Sequence, residues 1–151
     1  MLNSSVLLWE FVAALCAGTF SGAAIYINLV EHPARLECGP AAAVAEFGPS
    51  YRRAAVMQAS LAAVGSLASF IAWWQGLGAS LLVAGLLLSS VIPFTVFVML
   101  PTNKRLFDPA LDRTSHETIV LLHRWGRRHA VRSAASAVAF VVLLVDMAGI
   151  I

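Results

Sequence analysis

Apolar residues fill this chain in long blocks, and the polar residues collect between them. Residues 11–30 contain no charge, and neither do residues 54–103, a run broken only by the glycine-rich stretch 73–80. A helix needs about 20 apolar residues to cross a hydrocarbon core about 30 Å thick. The pattern therefore predicts four spans, at 6–31, 51–74, 79–100 and 129–149. The expected fold is all-α: a four-transmembrane-helix bundle running up-down-up-down, in a single membrane domain covering 1–151, with a long fourth helix extending past the bilayer.

Local signals refine the boundaries. Pro33 disfavours helical geometry at His32, so the first span is expected to end there. A loop over 32–50 should follow, with a short surface helix at 41–47. The glycine-rich segment 75–80 predicts a tight turn that makes a hairpin of spans two and three, and Pro93 predicts a kink in span three. Thr114 and Glu117 have capping-box spacing, so the fourth helix should start near 115 and run to about 149. Gly18, Gly22 and the alanines of span two predict close helix packing, within one bundle or across a homodimer.

Charge sets the expected orientation. All 10 lysines and arginines lie within 35–53 and 104–132. The positive-inside rule then puts both connections in the cytoplasm and both termini outside, in an integral, multi-pass membrane protein. Trp9, Trp73 and Trp74 fall at the outer interface, where the amphipathic indole is favoured; Trp125 falls on the cytoplasmic side. At 60% hydrophobic and 12% charged residues, the composition excludes an ordinary soluble domain and makes the lipid bilayer the main partner. A net charge of +2 suits anionic headgroups, and the lack of a basic stripe interleaved with aromatics argues against nucleic acid. The first span has no positive n-region and carries Glu10, so it is expected to be retained rather than cleaved. Cys16, in a span, and Cys38, in a reducing loop, are expected to be unpaired thiols.

Reading the spans against a common boundary collects their polar residues at one depth near the cytoplasmic end: Glu31 and His32, Tyr51 and Gln58, Asn103, and His129 with Arg132. Trp125, His129 and Arg132, spaced i, i+4, i+7, share one helix face. The first span carries a similar stripe of Ser21, Ile25, Asn28 and His32. Ionisable groups at membrane depth cost about 3 kcal/mol on insertion scales, so they tend to face the bundle interior and to serve a function. Anchoring of helix ends is the structural alternative. Glu31, His32 and His129 have the ligand types for zinc, copper or iron, but no paired-ligand motif is present, and Glu31 and His32 point about 100° apart on a regular helix.

The order Gly-x-x-x-Gly, Glu31-His32-Pro33, Tyr51-Arg52-Arg53-Ala54, Pro93-Phe94-Thr95, Pro101-Thr102-Asn103-Lys104-Arg105-Leu106 and Trp125-x-x-x-His129-x-x-Arg132 resembles the anthrone oxygenase-like family of small four-helix membrane proteins. The resemblance spans nearly the whole chain. It implies a membrane bundle in a family some of whose members oxidise polyketide anthrones to anthraquinones with O2, and it carries Glu31, His32, Pro33, Asn103, Trp125, His129 and Arg132 as motif positions.

Three functions follow as expectations. In the first, a hydrophobic small-molecule substrate loses a proton to His129, with Glu31 or His32 nearby. Arg132 and Asn103 then stabilise the oxyanion, Trp125 and Tyr51 form flat walls, Gln58 binds substrate, and no cofactor is needed. In the second, Glu31, His32 and His129 hold a copper or iron ion. In the third, the protein is a non-enzymatic membrane binding or accessory protein.

Overall fold

The computed structural model describes residues 4–151, and among these every regular element is helical. In chain order they are α1 (Ser4–Tyr26), a π-turn (Ile27–Glu31), α2 (His32–Glu37), α3 (Pro40–Trp74), α4 (Ala79–Phe94), a second π-turn (Thr95–Met99), α5 (Leu100–Leu106) and α6 (His116–Met147). They join into four helices long and apolar enough to cross a membrane: Ser4–Glu37, Pro40–Trp74, Ala79–Leu106 and His116–Met147. Large apolar side chains such as Leu29, Val56, Phe97 and Trp74 point outward, as a lipid solvent permits.

The four helices form a closed ring in which α1 touches α3 and α6, and α4 touches α3 and α6. Glycines set the closest approaches. A Cβ at Gly65 would lie 2.6 Å from Leu88 and 2.8 Å from Cys16, and one at Gly85 would lie 2.6 Å from Phe70. Gly18 faces Phe140 at 2.8 Å, whereas Gly22, expected to share its packing role, meets open space. Two apolar clusters result. One gathers Ala17, Phe20, Ala62, Leu88 and Leu143; the other, toward the arginine-rich end, gathers Ile27, Phe47, Met99, Leu122 and Trp125.

The prolines act differently from expectation. The first span does not stop at His32, which is helical at φ −68° and ψ −43°. Its N–H reaches back five residues to the Ile27 carbonyl, and this wider turn gives the following Pro33 ring room against the preceding carbonyls. The same device recurs where the Leu100 N–H reaches Thr95 O just before Pro101. The expected loop over 32–50 is likewise absent. Only Cys38 and Gly39 separate α2 from α3, with Gly39 at φ +85°, a conformation natural only to glycine. Pro49 lies inside α3; its neighbour Gly48 has no Cβ to clash with the proline ring. Segment 41–47 is no surface helix, because Ala43, Val44 and Phe47 are buried.

At the start of α6 the cap is Ser115, whose side chain accepts from the Thr118 N–H, and not Thr114. Glu117 leaves the cap to accept two bonds from Arg105, at 2.8 and 3.1 Å. In the connection before α6, the backbone N–H of Ala110 draws the Asp108 carboxyl below the usual carboxylate range, with Arg105 adding to the effect. The Thr114 N–H and hydroxyl do the same for Asp112. At the opposite end of the bundle Ser80 donates to Asp146, and Glu10 is buried on α1.

Candidate functional site

Between the two apolar clusters lies a cavity of about 190 Å³ whose lining includes Glu31, Arg35, Ser50, Tyr51, Gln58, Trp125, His129 and Arg132. Its other walls are largely apolar: Phe20 and Ile27 from the first span, Ala54, Ala55, Ala59 and Ala62 from α3, and Val91, Ile92 and Val96 from the third span, with Thr95, whose hydroxyl donates to Val91 O. Phe47, Tyr51, Phe107 and Trp125 close the arginine-rich end, with neighbouring ring centroids 5.3 to 5.6 Å apart. Beyond Phe94 the third span leans on α6, where Arg128 donates to Val98 O at 2.8 Å and to the Thr102 hydroxyl at 2.6 Å. The cavity reaches the lipid-facing surface beside Ala59, Ile92 and Val96, all of them exposed.

α6 supplies the centre of the site. Trp125 stacks on His129 at 4.8 Å and 25°, so the imidazole plane is held by an aromatic face. His129 Nδ1 lies 2.7 Å from Asn28 Oδ1. Arg132 is 8% exposed and donates through Nη2 to Gln58 Oε1 at 2.9 Å, while its guanidinium sits 5.5 Å from the Phe20 ring centroid. No carboxylate pairs with Arg132 among the described residues, and its Nε and the Gln58 Nε2 have no partner. Since Gln58 Oε1 faces a pure donor, Nε2 must carry the free N–H groups.

The other predicted residues divide. Glu31 lines the cavity but is tied to Arg35 and accepts from Ser50 at 2.7 Å, while Arg35 also pairs with Glu46. Tyr51 lines it, and Asn103 stands behind, donating through Nδ2 to the Tyr51 hydroxyl at 2.9 Å. His32 also lies outside the lining, its ring tilted against Trp125 at 5.1 Å. The π-turn causes this. The buried stripe Ala13, Ala17, Phe20, Ala24, Ile27 advances by three or four residues and then by five to His32, which turns Glu31 to the cavity and His32 to α6. There a Cβ on Gly126 would lie 2.6 Å from His32 Nε2, so the two helices meet where α6 has no side chain.

Glu31, His32 and His129 therefore do not converge, and no group of three or more His, Cys, Asp or Glu side chains is arranged to hold a metal ion among the described residues. The copper or iron site considered from sequence does not fit this geometry.

Residues 47–142 match the family described as anthrone oxygenase. An anthrone oxygenase from Aspergillus fumigatus, tpcL, is 32% identical over 142 residues, covering 87% of this chain and 88% of that protein. The chain belongs to the anthrone oxygenase family. No solved structure matches it. Within this family member, the matched segment carries Tyr51, Gln58, Asn103, Trp125, His129 and Arg132, while the first-span residues lie outside it.

The sequence did not single out Asn28, Ser50, Ser133 or Arg35 as site residues. Asn28 and Arg35 were visible as polar groups near the end of an apolar span. Which of them faces the interior depends on the π-turn, which has no local signature beyond a proline.

Proposed function

We propose that this protein is a membrane-embedded oxygenase that oxidises the activated methylene of a flat, hydrophobic, anthrone-like aromatic with O2. The observation that carries the reading is Arg132: a buried cation with no carboxylate partner among the described residues, beside the free Gln58 amide nitrogen, on the wall of a largely apolar cavity. A charge at that depth is unfavourable unless something negative comes to meet it.

An anthrone methylene lies between two aromatic rings, so loss of one proton gives an anion delocalised onto the ring carbonyl oxygen. His129 Nε2 takes the proton, and Arg132 with Gln58 Nε2 stabilises the oxyanion. Trp125 and Tyr51 hold the ring plane, and Asn103 acts through Tyr51. The carbanionic carbon then adds O2. The resulting peroxide takes the proton back from His129, loses its second C–H proton and breaks the O–O bond. One oxygen atom stays as the new carbonyl, and the other leaves as water with both methylene hydrogens.

The test is O2 uptake and quinone formation by the purified protein in lipid nanodiscs on a simple anthrone. One O2 should be consumed per quinone formed, and His129→Gln should lower the rate by about 10²–10⁴, the usual contribution of a general base. An inert wild type would favour a binding or accessory role. Activity that disappears on chelation and returns with copper or iron would favour a metal oxidase.

In the proposed orientation the arginine-rich end is cytoplasmic and both termini are outside, in keeping with the distribution of basic residues. A reporter fused after Ile151 should read as non-cytoplasmic, and the opposite reading would reverse the orientation.

A further inference from the structure

Asn28 lies on the π-turn of the first span and reaches three groups on one face of α6. Its Nδ2 donates to the Gly126 carbonyl at 3.1 Å. Its Oδ1 is 2.7 Å from His129 Nδ1 and accepts from the Ser133 hydroxyl at 2.6 Å. These contacts leave little freedom. A backbone carbonyl only accepts, so the amide nitrogen must face Gly126 and the amide oxygen must face His129 and Ser133. An amide oxygen only accepts as well, so His129 must carry its proton on Nδ1. The lone pair of the neutral ring is then on Nε2, available to the cavity that His129 lines.

We propose that Asn28 is the positioning residue of His129, fixing its Nδ1–H tautomer and ring rotation so that Nε2 is the basic nitrogen facing substrate; this rests on His129 acting as the base. Trp125 fixes the plane of the ring through stacking, but stacking is indifferent to which nitrogen bears the proton. Asn28 makes that choice, and Ser133 fills the second lone pair of Oδ1, so the amide itself is held. The π-turn is part of the device, since it sets how the end of the first span is turned toward α6. Without an acceptor at this position the imidazole is free to place its proton on either nitrogen.

The experiment reads tautomer and turnover separately. The ¹⁵N imidazole signals of His129, assigned by their loss in His129→Gln, should report the Nδ1–H form in the wild-type protein in nanodiscs. Asn28→Leu, close in size and compatible with a membrane helix, should convert them to a mixture and lower kcat about 10²-fold, with KM little changed. Asn28→Asp keeps an acceptor and should restore the Nδ1–H signal. Ser133→Ala should leave the tautomer in place. The proposal is overturned if Asn28→Leu keeps the Nδ1–H form, whether or not turnover falls, or if it keeps full turnover while His129→Gln is inactive. If His129→Gln retains activity, the base reading fails instead, and the tautomer result still decides whether Asn28 orients the ring.

Discussion

Replacing Arg132 with methionine separates what this cation does for the fold from what it does for the chemistry. Methionine is unbranched and adaptable, and fills much of the same space. The substitution removes the bond from Nη2 to Gln58 Oε1 at 2.9 Å; a hydrogen bond to a charged group contributes about 1.5–3 kcal/mol. It also removes a charge whose presence at membrane depth costs about 3 kcal/mol on insertion scales. The two nearly cancel, so the variant should unfold within a few degrees of the wild type. Catalysis should respond very differently. Losing one preorganised group aimed at a developing anion costs about 10²–10³ in rate, or about 2.7–4 kcal/mol. The anion exists only after the proton has left, so kcat and kcat/KM should fall together while KM holds. The assay is initial O2 uptake across a range of anthrone concentrations in nanodiscs, with spontaneous oxidation subtracted, beside thermal unfolding of the same samples. Turnover within about threefold of wild type, less than 1 kcal/mol, would refute the role given to Arg132. A large fall in stability with unchanged kcat per folded molecule would make it a structural residue.

Three further outcomes follow from the geometry. Gly126→Ala puts a methyl group 2.6 Å from His32 Nε2 and should cost about 1–3 kcal/mol by overpacking; adding His32→Ala should recover much of it, and strictly additive effects in the double-mutant cycle would contradict the contact. Ala59→Trp, at the lipid-facing mouth of the cavity, should lower kcat/KM for an anthrone about tenfold or more with little change in stability, and unchanged kinetics would mean that substrate enters elsewhere. The Asp108 and Asp112 carboxyls are held below their usual range by bonds within the connection before α6. Their stabilisation is present above the ordinary aspartate value of about 3.9 and is lost as pH falls through the lower folded values. Protection of the Ala110 and Thr114 amides, measured as exchange relative to the intrinsic rate at each pH, should therefore fall on acidification below that range, and protection that persists under strong acid would refute the assignment.

Much of the site was legible because its signals are local. Trp125, His129 and Arg132 occupy one face of one helix, a fact of periodicity, and Gln58 is a polar residue in an alanine-rich span. The loop assigned to 32–50 was not legible. A proline is a helix breaker unless its surroundings make room, and here a π-turn does so for Pro33 and Gly48 for Pro49. The roles of His32 and Asn103 were not legible either. Both are polar residues at the right depth, yet the π-turn rotates His32 onto Trp125, and Asn103 ends behind Tyr51.

By itself the sequence determined the number of apolar helices long enough to span and the helical class, because hydrophobic length and charge placement act residue by residue in a lipid solvent. Tertiary structure alone decided which polar residues share a cavity, that Arg132 meets no carboxylate among the described residues, and that Asn28 meets His129 across 101 positions of chain. Such contacts depend on how each helix is rotated about its axis, and two π-turns reset that rotation in a way no local pattern records.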